Sequence, residues 1–210
     1  MGKSKQSVSD RVYKDIIDGI ASRQFLPGEH LVEADLMEVF SCSRTTIREV
    51  FRRLVQEGVV KHIQNKGVRI KRLSQKELLD IKGVLKALMA EAVGVVANTH
   101  TPQDIKMLNE CISKFEESIE MSQNLEAGKW YNEFQFRVAE ISQNTYLYKL
   151  VKQYFTIIIF NNIGVNLAWE PVHYDQSRKS LKCYKEIVKA IQASDVVQGM
   201  QLVNLLYEEW

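Results

Sequence analysis

Only three prolines and three cysteines occur in 210 residues, and neither kind is clustered. Cys42, Cys111 and Cys183 are odd in number and far apart, which excludes a disulfide framework or a thiolate metal site and leaves them as small buried hydrophobes. Ten glycines without a period exclude a collagen-like or low-complexity chain. Long apolar runs are also missing. The strongest, Ile157-Ile158-Ile159-Phe160, is far short of the roughly 18 residues needed to cross a bilayer, and no charged segment followed by an apolar stretch opens the chain. A cytoplasmic protein without membrane partners is expected. Enzyme signatures are absent too: there is no glycine-rich phosphate loop, no nucleophile elbow and no His-Glu metal motif. Glu116-Glu117, Glu120 and Glu208-Glu209 read as solvated helix faces, so no catalytic residue is assigned.

Neither sign of charge dominates, with 28 basic against 26 acidic residues. Their distribution is uneven. Residues 41–72 hold 9 basic and 2 acidic side chains, a cationic concentration that attracts polyanions even from a nearly neutral chain. With 45% hydrophobic residues the chain can bury a substantial core.

The hydrophobic pattern divides the chain near residue 73. Val12, Ile16, Ile17 and Ile20 share one helical face, and Pro27-Gly28 stops that segment. A second helix is expected over 33–40. Ser41-Cys42-Ser43 suits a tight turn, Ser43 can cap the next helix, and Ile47, Val50, Phe51 and Leu54 form that helix's apolar stripe up to Gly58. The period then changes to two over 59–63 and 68–71, around Gln64-Asn65-Lys66-Gly67, which predicts a β-hairpin. Ser74 and Glu77 have capping-box spacing, and Thr101-Pro102-Gln103-Asp104 has a cap, a first-turn proline and an acid. Breaks are expected at Thr101-Pro102, 122–128, Gln143-Asn144, 161–177 and Ser194-Asp195. Six helices result, an antiparallel all-α bundle over 74–210 behind a mainly helical domain over 1–73.

The third helix carries Arg44, Arg48 and Arg52 at i, i+4 and i+8, opposite its apolar stripe. Such a helix has one face for a core and another for phosphates and base edges. Its first turn, Arg44-Thr45-Thr46 with Arg48, is the end that a helix lying in the major groove offers to bases. In the hairpin, Lys66 adjoins Gly67, where a backbone without Cβ can approach a phosphate closely.

The run Ser43-Arg44-Thr45-Thr46-Ile47-Arg48-Glu49-Val50, with Pro27-Gly28 before it and Leu54, Gly58 and Asn65-Lys66-Gly67 after it, resembles a GntR-family winged helix-turn-helix. The helical remainder is similar to the FCD ligand-binding domain of the FadR subfamily. The resemblance implies a homodimeric bacterial transcription factor that binds a short palindromic operator. It implies DNA contacts at Arg44, Thr45, Thr46 and Arg48, and on the wing at Asn65, Lys66 and Gly67; Arg52 extends the same face. Two departures stand out: Ser41 replaces the usual turn glycine, and Ala34 stands where some members have an arginine.

FCD domains also imply a divalent metal held by histidines and an acidic or amide residue. The corresponding positions here are Tyr131 and Gln135, then Tyr184, with Asn204 or Leu206 on the last helix, so the metal ligands are lost and no cofactor is expected. His30, His62, His100 and His173 share no spacing and read as surface or loop residues. A metal-free pocket can use Tyr131, Gln135 and Tyr184 as neutral donors, with Lys82 as the cation for a small organic acid. The expected function is a DNA-binding regulator, a repressor, modulated by that effector. The alternative is a DNA-binding protein whose bundle serves only dimerisation.

Overall fold

A computed structural model of the chain describes residues 7–21, 24–64, 67–162 and 171–208. The chain divides into two compact units: residues up to Lys76, joined by the end of the seventh helix from Thr156, and the remainder from Glu77.

The first unit contains α1 (Val8–Ala21), β1 (His30–Leu31), α2 (Glu33–Val39), α3 (Arg44–Gln56), β2 (Val60–Ile63) and β3 (Gly67–Ile70). Val12, Ile16 and Ile20 of α1 meet the buried Ile47, Val50, Phe51 and Leu54 of α3, so the two apolar stripes close on each other. Ser43 caps α3 by accepting the Thr46 amide at 3.2 Å. Ser41 supplies the left-handed residue of the α2–α3 turn at φ 47°, a conformation that glycine takes without steric cost.

The hairpin forms with Val60 opposite Ile70 and Ile63 opposite Gly67. A third strand, β1, joins its other edge, pairing His30 with Arg69 and Leu31 with Val68, to give the antiparallel order β1-β3-β2. Two residues are too few for a periodic signal, and β1 exists through this long-range pairing. Gly67 is fixed by the same contact: its φ is +93°, and a Cβ there would lie 2.5 Å from the Leu31 carbonyl oxygen.

A polar network also joins α1 to α3. Arg53 reaches Asp10 at 3.1 Å and Glu57 at 3.2 Å, its guanidinium lies 3.5 Å from the centre of the Tyr13 ring, and Tyr13 donates to Glu57 at 2.5 Å. Burial and the Glu57 carboxylate push the Tyr13 phenol well above its ordinary range. Arg53 therefore belongs to packing between helices, although the charge count groups it with its neighbours.

The second unit holds the greater part of α4 (Gln75–Thr99) and of α7 (Thr145–Asn162), with α5 (Pro102–Glu120), α6 (Asn124–Ile141), α8 (Pro171–Gln192) and α9 (Val196–Glu208). Thr101 and Asp104 form the expected reciprocal capping box at the start of α5. Two boundaries differ from expectation. Helix α6 starts at Asn124, with Gly128 inside it, and α8 starts at Pro171, inside the break expected up to Ser177. Proline suits a first helical position because its missing N–H would have no intrahelical partner there. Ser122, Gln143 and Ser194 adopt positive φ at the ends of α5, α6 and α8, so polar residues turn the chain where glycine is the usual choice. Helices α4 and α9 approach closely at Gly199, where a Cβ would lie 2.8 Å from Val93. Cys111 is buried, its thiol pushed up to about 11 first by burial, while Cys42 and Cys183 are half-buried, and none of the three is joined in a disulfide.

Candidate nucleic-acid interface

The exposed face of α3 and the adjacent wing form one concave surface. Its lining includes Glu33 and Ala34 of α2, Arg44, Arg48 and Arg52 of α3, His62 of β2 and Gly67 of β3. The three arginines are exposed, as is Thr45, at the N-terminal half of a helix whose opposite side is core. Thr46 is half-buried, with its hydroxyl 2.9 Å from Ser43 Oγ, so it helps to fix the first turn. Asn65 and Lys66 lie outside the described residues, and the wing's placement is defined up to Gln64 and again from Gly67.

Glu33 connects the arginines. Its Oε1 accepts from Arg48 Nε at 2.9 Å and its Oε2 lies 3.7 Å from Arg44 Nε. That carboxylate holds the Arg48 pKa above its ordinary value, first through the hydrogen bond and then through its charge. His62 is a surface residue, as expected, exposed on β2 and bordering this concavity, whereas His30 departs from the surface-or-loop expectation, half-buried in β1.

The second unit brings three of its four expected pocket residues together. Tyr184 donates to the Tyr131 carbonyl at 3.1 Å, its ring stacks on Phe134 with centroids 4.0 Å apart, and it stacks on Tyr131 at 5.4 Å. Gln135 is 1% exposed and accepts from Tyr207 at 3.0 Å. Its Nε2 has no acceptor among the described residues. Burial first of all pushes the phenols of Tyr131, Tyr184 and Tyr207 above their ordinary range, which keeps them neutral. Lys82 lies half-buried on α4, where burial lowers its pKa. The hydrogen bonds and ring contacts that define the cluster run among the other residues. Tyr207 was not legible in the sequence; the last helix offered Asn204, which is exposed, and Leu206, which is apolar and buried.

Comparison with known proteins assigns both units. A model of the bacterial regulatory proteins of the gntR family matches residues 8–70, and the FCD domain matches residues 80–208. The chain belongs to the GntR family and carries an FCD domain. It is 34% identical over 131 residues to the Nta operon transcriptional regulator of Aminobacter aminovorans, a match that spans 62% of this chain and 62% of that protein. It is 22% identical to the HTH-type transcriptional regulator McbR of Escherichia coli K12, over 92% of this chain and 87% of that one. In fold it resembles the solved structure of E. coli McbR/YncC, with a TM-score of 0.82 and 19% identity across 96% of this chain and 94% of that one. A GntR regulator from Rhodococcus sp. RHA1 gives a TM-score of 0.77 at 20% identity, covering 95% and 93%. The winged helix-turn-helix and the helical FCD bundle are thus the folds expected, and the chain is a transcriptional regulator rather than an enzyme.

The divalent metal implied by FCD domains does not fit the residues present. Neutral phenols and one amide, already engaged in hydrogen bonds and ring stacks, occupy the converging positions on α6, α8 and α9. Protein sites for zinc and its transition-metal neighbours are built from imidazole, thiolate and carboxylate ligands, none of which these residues supply. No group of three or more His, Cys, Asp or Glu suited to a metal occurs among the described residues. Nor is any helix there long and apolar enough to cross a membrane.

Proposed function

We propose that this GntR regulator is a cytoplasmic homodimeric repressor that binds a palindromic operator. Helix α3 enters the major groove, and the wing around Asn65, Lys66 and Gly67 lies against the backbone. The observation that carries this reading is the row of exposed arginines, Arg44, Arg48 and Arg52, beside the Ser43-capped end of α3 and facing the wing. Arginine presents a planar fork that matches guanine O6 and N7, and a threonine such as Thr45 can meet a phosphate or a thymine methyl. Two copies related by a twofold axis read inverted half-sites. The test is selection of bound duplexes from a randomised pool by the full-length chain. Enrichment of an inverted repeat is expected; a single uninterrupted half-site would contradict the homodimer.

In the same reading, the FCD bundle takes a small organic acid without metal, with Lys82 as the cation and Tyr131, Gln135 and Tyr184 as neutral donors. Gln135 Nε2 supports it, because a buried amide donor without an acceptor is costly until a ligand oxygen meets it. A second reading rests on the stacked rings of Tyr131, Phe134 and Tyr184: the interior is packed closed, and the bundle serves dimerisation alone. Melting temperatures across organic acids and divalent ions separate the two. The first reading predicts that one acid raises Tm by mass action and that chelators leave it unchanged. No shift with any acid supports the second, and stoichiometric metal overturns both.

A further inference from the structure

We propose that Glu33, a residue of α2 outside the recognition helix, sets the base specificity of the interface by positioning Arg48; this rests on the reading of α3 as the DNA-contacting helix. One carboxylate spans two arginines one helical turn apart, bonding Arg48 Nε at 2.9 Å and approaching Arg44 Nε at 3.7 Å. Glu33 is itself held, since its side chain is only 24% exposed while those of Arg44 and Arg48 are 61% and 60% exposed. The anchored group therefore fixes the free one.

Two physical consequences follow from that geometry. First, the bond uses Arg48 Nε and leaves the terminal Nη pair to meet a guanine edge. An arginine already held in one rotamer loses less freedom on binding, so its fork is preorganised for a bidentate contact. Second, the carboxylate sits in the surface that faces DNA and offsets the two arginine charges. It lowers the attraction for phosphates in general, which is the term that binds all sequences alike. Glu33 thus raises affinity for the correct base and lowers it for every other duplex. A carboxylate that merely locked the arginines away would lower both, and one that only supported the α2 fold would act through stability.

The test uses the full-length chain with two duplexes, the one that it selects from a random pool and a scrambled duplex of the same composition, measured by fluorescence anisotropy over a salt series. Glu33→Ala is expected to weaken the selected complex about fivefold and to strengthen the scrambled one a few-fold, with a salt slope steeper by about one ion. Glu33→Gln keeps an oxygen that can accept from Arg48 Nε, so it should recover most of the specific affinity while retaining the raised scrambled affinity. With Arg48→Ala already present, Glu33→Ala should cause no further loss on the selected duplex, since a double-mutant cycle isolates the coupling. Equal strengthening of both complexes by Glu33→Ala would overturn the proposal in favour of a lock. Equal weakening with a lowered Tm would overturn it in favour of a structural role. A wild-type chain that does not discriminate between the duplexes would overturn the reading of α3 as well, whereas discrimination unchanged by Glu33→Ala would overturn the Glu33 proposal alone.

Discussion

Gly67→Ala is expected to destabilise the winged unit by about 2–5 kcal/mol, as the sum of a left-handed backbone cost of about 1–2 kcal/mol and an overpacking cost of about 1–3 kcal/mol. The first arises because Gly67 has a φ of +93°, where an L side chain crowds its own carbonyl. The second arises because the new Cβ would lie 2.5 Å from the Leu31 carbonyl oxygen, a backbone atom that moves only if β1 shifts away from β3. Gly28→Ala separates the two costs. Its φ is similar at +88°, but nothing lies within 4 Å of the position that its new methyl would take, so it should lose only the backbone part. Hydrogen exchange of the Ile70 amide, which donates to Glu29 across the β1 edge, is the readout. Exchange should accelerate far more in Gly67→Ala than in Gly28→Ala; equal acceleration would show that the close approach to Leu31 carries no cost. A DNA-binding defect of Gly67→Ala would then reflect a displaced wing, not a lost phosphate contact.

Arg48→Ala is expected to weaken binding to the selected duplex by roughly 10- to 100-fold for each half-site, the range for one bidentate base contact, with the two losses compounding in the dimer, and to relax specificity at one position in each half-site. Affinity for scrambled DNA should fall far less. Because the Arg48 side chain is exposed and the opposite side of α3 forms the core, Tm should stay within about a degree or two of wild type. Retained affinity for the selected duplex, measured by anisotropy at fixed salt, would remove Arg48 from the interface. Arg53→Ala is the instructive comparison. Arg53 is bound to Asp10, Glu57 and the Tyr13 ring, so its loss should loosen α1 from α3 and lower Tm.

Apolar spacing located α1, α3 and most of the bundle, because helices that bury one face leave a period near 3.6. Caps worked for the same local reason: Ser43 and the Thr101–Asp104 pair satisfy amides within their own first turns. Features that depend on residues meeting from distant segments were not legible. The two-residue β1 has no period, and its existence depends on β3 lying beside it. Glu33 and Arg48 meet because α2 crosses α3 at the turn around Ser41, and the i, i+4, i+8 spacing assigned Arg44 and Arg48 to a DNA-facing surface without revealing this partner. In the bundle, the search for histidine positions on the last helix led to Asn204 and Leu206, whereas helix rotation turns Tyr207 toward Gln135. The tyrosine was present in the sequence, but its partner Gln135 lies 72 residues away on α6, and no local pattern joins the two.

The central claim is that the α3 face reads sequence. Its most direct test is the ratio of affinities of the full-length chain for its selected duplex and for a scrambled duplex of equal length, measured at about 0.15 M salt. A preference of about a thousandfold or more is the expected result for a specific protein–DNA complex. Equal affinity for the two duplexes, falling together as salt is raised, would mean that the arginines of α3 bind phosphate alone and would contradict the account.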